Sequence, residues 1–190
     1  MTEAIDPQEL LLVRDDLAYH QARVLLLVNA VASSAGHARK LDGLTKLAKL
    51  DFLLRYPALA ADVLDMLRSD DPRLHLAPAD QEEPTDVEAP MTRYKYGPWD
   101  DRYYSIIGAL VGRGLLRYAP GRRGSVALAP TAAGRRLASE LAATDDWAAV
   151  GDRSAALAEA SAGLTGSALK TLIYGRLPHL MDRPQRQVIR

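Results

Sequence analysis

Between residues 112 and 134 the chain alternates stop signals with short apolar runs, and this segment constrains the fold more than any other. Gly112-Arg113-Gly114 ends a helical repeat, and Leu115-Leu116-Arg117-Tyr118 is a run of strand length. Pro120-Gly121-Arg122-Arg123-Gly124 reads as a turn, and Ser125-Val126-Ala127-Leu128 as the returning strand. Pro130-Thr131 then caps a helix that carries Leu137 and Leu141. Glycine lets the chain leave the first helix, and small residues at Ala132-Ala133-Gly134 let the hairpin fold back over the core.

Helical spacing dominates elsewhere. Asp6-Pro7-Gln8-Glu9 has the form of a capped start, followed by Leu10, Val13, Leu17, Val24, Leu27, Val28 and Val31. A long first helix is expected, with a break near Arg14 to Leu17 as the alternative, ending at Ser33-Ser34-Ala35-Gly36. A second helix follows Asp42 through Leu44, Leu47, Leu50, Leu53 and Leu54. Pro57 closes it and opens a third stretch with Leu59, Val63, Leu64 and Leu67. Pro98 is expected to start the next helix, which buries Tyr103, Ile106, Ile107, Leu110 and Val111 and spaces Gly108 and Gly112 for a close helix contact. Two more helical stretches, around Trp147 to Ala160 and Ser167 to Leu177, precede an arginine-rich tail from Asp182.

The order helix, helix, helix, strand, turn, strand, helix predicts a mainly α fold. It is that of a single winged helix-turn-helix with a two-stranded wing, framed by extra N- and C-terminal helices. Four parts follow: an N-terminal helical part over 1–68, an acidic flexible loop over 69–90, the winged-helix core with its wing over 91–142, and C-terminal helices with a basic tail over 143–190.

Lysine plus arginine and aspartate plus glutamate are 24 each, yet their distribution is uneven. From Asp70 to Pro90 seven acids face one base, Arg73, and Ala77 to Ala89 reads as a mobile loop. From Met91 to Arg136 nine bases face two acids, Asp100 and Asp101. The neutral total hides a basic segment.

Several chemistries lack their residues. The chain has no cysteine, which excludes thiol catalysis, iron–sulfur ligation and disulfides, and suits a reducing cytoplasm. Its start carries no signal-peptide pattern, and its longest strongly apolar run, Val24 to Val28, is far short of a membrane span. His20, His37, His75 and His179 are widely spaced without a ligand pair, and neither a phosphate-binding GxxxxGK[ST] loop nor a GxSxG elbow occurs. Asp100-Asp101 at a helix start ordinarily serve the macrodipole rather than a metal. Asp51, among leucines, is expected to pair with Lys46, Lys49 or Arg55 or to face water. No catalytic residue, cofactor or metal is expected, and the chain reads as a non-enzyme.

The basic segment offers two contact surfaces. Arg117, Arg122 and Arg123 stand on the expected hairpin and its tip, where a wing touches phosphate. Asp100 and Asp101 at the expected reading helix oppose sequence-specific readout. Tyr94, Tyr96, Trp99, Tyr103 and Tyr104 put five of the chain's eleven aromatics into eleven residues. Tyr94, Tyr96, Trp99 and Arg102 suit a protein interface, where tyrosine, tryptophan and arginine are enriched, although some of these rings must also hold the core.

Two segments carry a resemblance. Leu41-Asp42-Gly43-Leu44-Thr45-Lys46-Leu47-Ala48-Lys49-Leu50-Asp51-Phe52-Leu53-Leu54-Arg55-Tyr56-Pro57 is one, and Met91-Thr92-Arg93-Tyr94-Lys95-Tyr96-Gly97-Pro98-Trp99-Asp100-Asp101-Arg102-Tyr103-Tyr104 with the following hairpin is the other. Together, over roughly residues 41 to 140, they resemble the middle component of bacterial ABC three-component systems, the group that includes Lamassu-type anti-phage defence. More loosely they are similar to other prokaryotic winged-helix proteins, including SocA-like antitoxin domains. The resemblance implies a non-enzymatic adaptor between an SMC-like ABC ATPase and an effector subunit, with no active site carried over. The alternative is a dimeric winged-helix transcriptional regulator. Weak, non-specific contact with duplex DNA is expected, whereas tight binding to one palindrome would favour the regulator, and no membrane contact is expected.

Overall fold

Helix α1 (Leu17–Ser33) begins where the Asp16 carboxylate accepts the Ala18 N–H at 2.8 Å. Its Val24, Leu27, Val28 and Val31 are fully buried, each contributing about 1.5–3 kcal/mol by leaving water. The computed structural model describes residues 16–76, 91–94, 97–181 and Ile189. The expected start at Asp6–Glu9, the loop reading for 77–89, Tyr96 and most of the basic tail lie outside the described residues. Strand β1 (Leu41–Asp42) leads through Gly43, at φ 92°, into α2 (Leu44–Arg55).

The third helical stretch is shorter than its leucine spacing suggested. A 3-10 turn (Pro57–Leu59) and a single turn of helix, α3 (Ala60–Val63), are all that forms. Pro57 supplies no N–H to a continuing ladder, so Tyr56 ends α2 instead. Strands β2 (Thr92–Tyr94) and β3 (Gly97–Trp99) pair antiparallel, with Thr92 opposite Trp99. Pro98 therefore sits in a strand, not at a helix start. Helix α4 (Tyr103–Gly112) begins five residues after it, because the Pro98 carbonyl is engaged by Lys49 and Asp100 is drawn inward.

The hairpin of β4 (Leu116–Pro120) and β5 (Val126–Pro130) follows α4, with Arg122–Gly124 at its tip. Strand β1 joins it to give an antiparallel sheet in the order β1-β5-β4, Leu41 facing Leu128. Gly114 leaves α4 at φ +69°, and Thr131 caps α5 (Ala132–Ala142) by accepting the Gly134 N–H at 3.0 Å. A Cβ on Gly134 would collide with the Leu115 carbonyl oxygen, so the small residue expected where the hairpin folds back is required there. Gly108 and Gly112, in contrast, meet nothing within 4 Å. The close contact expected for them is not made within the described residues.

Helices α6 (Asp145–Ala160), α7 (Gly166–Arg176) and α8 (Pro178–Met181) complete a mainly helical fold with two small antiparallel sheets. Helix α1 packs on α6, α5, α4 and β5, and α2 on α7 and β3. One apolar cluster joins all of them, from Leu27 and Phe52 to Ile106, Leu128, Leu157 and Ile173. Ile189 is buried in it too, its carbonyl accepting the Tyr56 hydroxyl at 2.8 Å. No described helix is long and apolar enough to cross a membrane.

Candidate functional site

A buried ionic network lies where α1, α2 and α4 meet. The Asp51 carboxylate is fully enclosed and accepts Arg23 Nε at 2.8 Å, Arg55 Nη2 at 2.7 Å and the Tyr103 hydroxyl at 2.7 Å. Arg55 Nη2 donates to Asp100 at 2.7 Å, and Arg102 grips the same carboxylate through Nη2 and its own backbone N–H, both at 2.9 Å. His20 lies between Arg23 Nη1 and Arg102 Nη1, at 2.6 and 2.8 Å. Burial alone would push both carboxyls up. For Asp51 the charges of Arg23 and Arg55 outweigh it, and for Asp100 the bonds from Arg102 and the Arg55 charge do so. Both stay well below the usual carboxylate range. The Tyr103 hydroxyl is held protonated by burial and by the adjacent Asp51 charge.

This network revises three expectations. Asp100 does not serve the macrodipole of a helix start or oppose an approaching polyanion; it is buried and paired. Asp51 pairs with Arg55 as expected, but with Arg23 in place of a lysine, and does not face water. An ionised, enclosed carboxylate is a structural anchor and a poor proton donor. Arg102 turns inward to Asp100 and His20, and Trp99 is half-buried with its ring edge-on to Tyr103 at 5.2 Å. Tyr94 is placed in β2 as backbone. Arg23 and His20 were not singled out from the sequence. The available signal was an arginine directly before the apolar run Val24 to Val28, a position that is buried only when a partner meets the charge.

The three hairpin arginines are where the turn signals put them. Arg117, Arg122 and Arg123 are exposed, and none has an ion-pair partner among the described residues. Arg123 holds φ 52°, as do Ala38 and Arg39 at 51° and 60° in the loop opposite. Such non-glycine left-handed residues cost energy and persist where the surroundings over-determine them.

Between hairpin tip, that loop and the start of α7 runs a groove of about 640 Å³, lined among others by His37, Lys40, Lys46, Arg122, Arg123 and Asp42. The Asp42 carboxylate is occupied by the Arg122 N–H at 3.0 Å. Lys46 Nζ donates to the Leu164 carbonyl at 2.6 Å and faces His37 Nδ1 at 3.1 Å. His37 Nε2 meets the Ala158 carbonyl at 2.7 Å, which assigns the ring proton to Nε2 and leaves Nδ1 to accept. Burial pulls the Lys46 ammonium down to about 8. Burial also lowers His37, more than its bond to Ala158 raises it, and Lys46 adds to the lowering.

A second opening, about 370 Å³, lies beside the first and includes Lys49, Trp99, Asp101 and Tyr104. Lys49 Nζ donates to the Pro98 carbonyl at 3.1 Å, and burial, then the Lys170 charge, brings it down to about 8. Among the described residues no group of three or more His, Asp or Glu side chains is placed to hold a metal. Comparison with family models, curated proteins and solved structures found no match.

Proposed function

We propose that the chain is a non-enzymatic winged-helix adaptor, whose hairpin touches nucleic-acid backbone while α4 packs against a protein partner. The partners that the sequence resemblance implies are an SMC-like ABC ATPase and an effector subunit of a bacterial anti-phage defence complex. The order α1, β1, α2, α3, α4, β4, β5, with the β2–β3 hairpin inserted before α4 and β1 laid against β5, supports the winged-helix reading. The observation that carries the adaptor reading is the exposed face of α4. It presents Tyr104, Ser105, Gly108 and Gly112, while Asp101 stands exposed just before it.

The bidentate base readers are Arg, Lys, Asn and Gln, and this face has none of them. Gly108 and Gly112, with nothing within 4 Å of where a side chain would stand, instead leave this face open to the close approach of another protein surface, with Tyr104 at its N-terminal edge. The regulator reading draws on the hairpin arginines and the basic charge of the segment, to which the exposed face of α4 adds no Arg, Lys, Asn or Gln.

The test is co-expression with the proteins encoded beside this one, followed by capture on the tagged chain. Wild type should retain the ATPase, and Gly108→Glu should lose it while melting no lower than wild type, since nothing surrounds Gly108. Capture that survives Gly108→Glu would remove α4 from the interface. Tight binding of a dimer to one palindrome at physiological salt would replace the adaptor with the regulator.

A further inference from the structure

The basic groove and the aromatic opening are neighbours, since Thr45, in the first turn of α2, lines both. We propose that they form one site for a nucleotide unit, its phosphates in the groove against Lys46, Arg122 and Arg123 and its base against Tyr104 and Trp99. The inference rests on the assignment of the hairpin arginines to phosphate and specifies what they hold.

Four observations support it. The groove has the volume of a small-molecule site, which one phosphate would not fill. Its cations are built in: Lys46 is held by the Leu164 carbonyl and by a histidine nitrogen that Ala158 orients, with two of three ammonium protons engaged and one left for a ligand. Asp42, the acid lining the groove, is already turned onto the Arg122 backbone and the Ser125 hydroxyl. Arg122 and Arg123 have exposed guanidinium groups at its rim.

The walls add to these charges. Helices α2 and α7 both start at the groove, and neither has an acidic side chain in its first turn. They abut so closely that a Cβ on Gly166 would come within 2.8 Å of the Lys46 backbone nitrogen. Two positive helix ends therefore face the same space as the cations.

The aromatic opening supplies what a base requires. Tyr104 is 68% exposed, an unusual state for a large ring beside a half-buried tryptophan, whose centroid lies 6.3 Å away. A cationic track with an aromatic platform alongside is the pairing that single-stranded nucleic-acid sites use, because every base has a face to stack. The same chemistry fits a free nucleotide, and the two sources are separable by experiment.

The full chain is titrated with an oligothymidylate of about ten residues, with thymidine diphosphate, with inorganic pyrophosphate and with a DNA duplex. Ser167→Asp places a carboxylate in the first turn of α7, where it favours the helix and opposes an anion. This variant should melt no lower than wild type and bind the first three ligands about tenfold more weakly. Tyr104→Ala should weaken the oligothymidylate and thymidine diphosphate by about tenfold and leave pyrophosphate unchanged. Much tighter binding of the oligothymidylate than of the diphosphate assigns the site to a strand, and equal binding assigns it to a free nucleotide.

The proposal falls if wild type takes up none of the three, if Ser167→Asp binds them as wild type does, or if Tyr104→Ala affects all three alike. Duplex binding that persists in Ser167→Asp, with no uptake of the others by wild type, overturns this site and leaves the hairpin's hold on duplex standing.

Discussion

The Tyr103 hydroxyl donates to the Asp51 carboxylate at 2.7 Å, fully buried, across 52 positions of sequence. That bond ties the first turn of α4 to the middle of α2, and Arg23 on the same carboxylate ties both to α1. The aromatic, acidic and basic residues around position 100 are thereby turned into the frame that sets the angle of α4.

Removing the centre of this frame takes a buried counter-charge from Arg23 and from Arg55, of which Arg55 keeps Asp100. Asp51→Ala should cost about 3–5 kcal/mol, lowering the thermal midpoint by roughly 6–20 °C in a chain of this size. Replacing Arg23 by Met in the same background should recover part of that loss, because one stranded charge is removed. Thermal unfolding of the two variants measures both effects, and a loss below 1 kcal/mol for Asp51→Ala would deny the network its structural role.

Acid should dismantle the same frame. Asp51 and Asp100 titrate lower in the folded than in the unfolded chain, so their contribution is complete above the ordinary aspartate range and is lost as pH falls below about 4. Denaturant midpoints measured from neutral pH downward should hold steady and then drop below that point. In Asp51→Asn the drop should be shallower, since one of the two linked protons is gone.

Lys49 predicts a slope of the same sign in alkali. Its folded value of about 8 lies under its ordinary 10.5, so between them the unfolded chain binds the extra proton and stability rises with pH. Lys49→Met removes that linkage. The stability of wild type relative to Lys49→Met should therefore increase from pH 8 to 10, read from denaturant midpoints in matched buffers.

On duplex DNA the hairpin should act through phosphate alone. Changing Arg122 and Arg123 together to Ala should weaken binding by a similar factor on unrelated sequences and reduce the salt slope by nearly two, about 0.9 for each contact. A loss confined to one sequence would mean that the hairpin reads bases.

Two helical glycines should respond in opposite directions. Gly108→Ala meets no neighbour and relieves a flexible helix position, so it should stabilise by about 0.5–1 kcal/mol. Gly134→Ala drives a methyl group into the Leu115 carbonyl oxygen and should lower the melting temperature clearly. Melting curves of the pair decide it, and equal responses would contradict the packing described for α5.

Local chemistry made much of the fold legible. Apolar spacing marked α1, α2 and α4, glycine and proline marked the hairpin, Thr131 marked the start of α5, and the turn arginines came out exposed as expected. Each of these signals acts within a few residues, so neighbours in sequence suffice to read it. Most of the missed features depend on agreements between distant segments. Pro98 lies in a strand because Thr92–Tyr94 pairs with Gly97–Trp99 beside Lys49, and Leu41–Asp42 becomes a strand because β5 offers it an edge.

The polar residues divide in the same way. The sequence by itself determined that a basic hairpin would stand in water, because nothing apolar surrounds Arg122 and Arg123 in the chain. Whether Asp100 and Arg102 would face solvent or turn inward was decided by Arg55 and His20 arriving from α2 and α1. The groove, too, exists because residues 36–46, 122–125 and 163–167 converge. Burying a charge is unfavourable unless a partner meets it, and only the packed tertiary structure brings that partner within bonding distance.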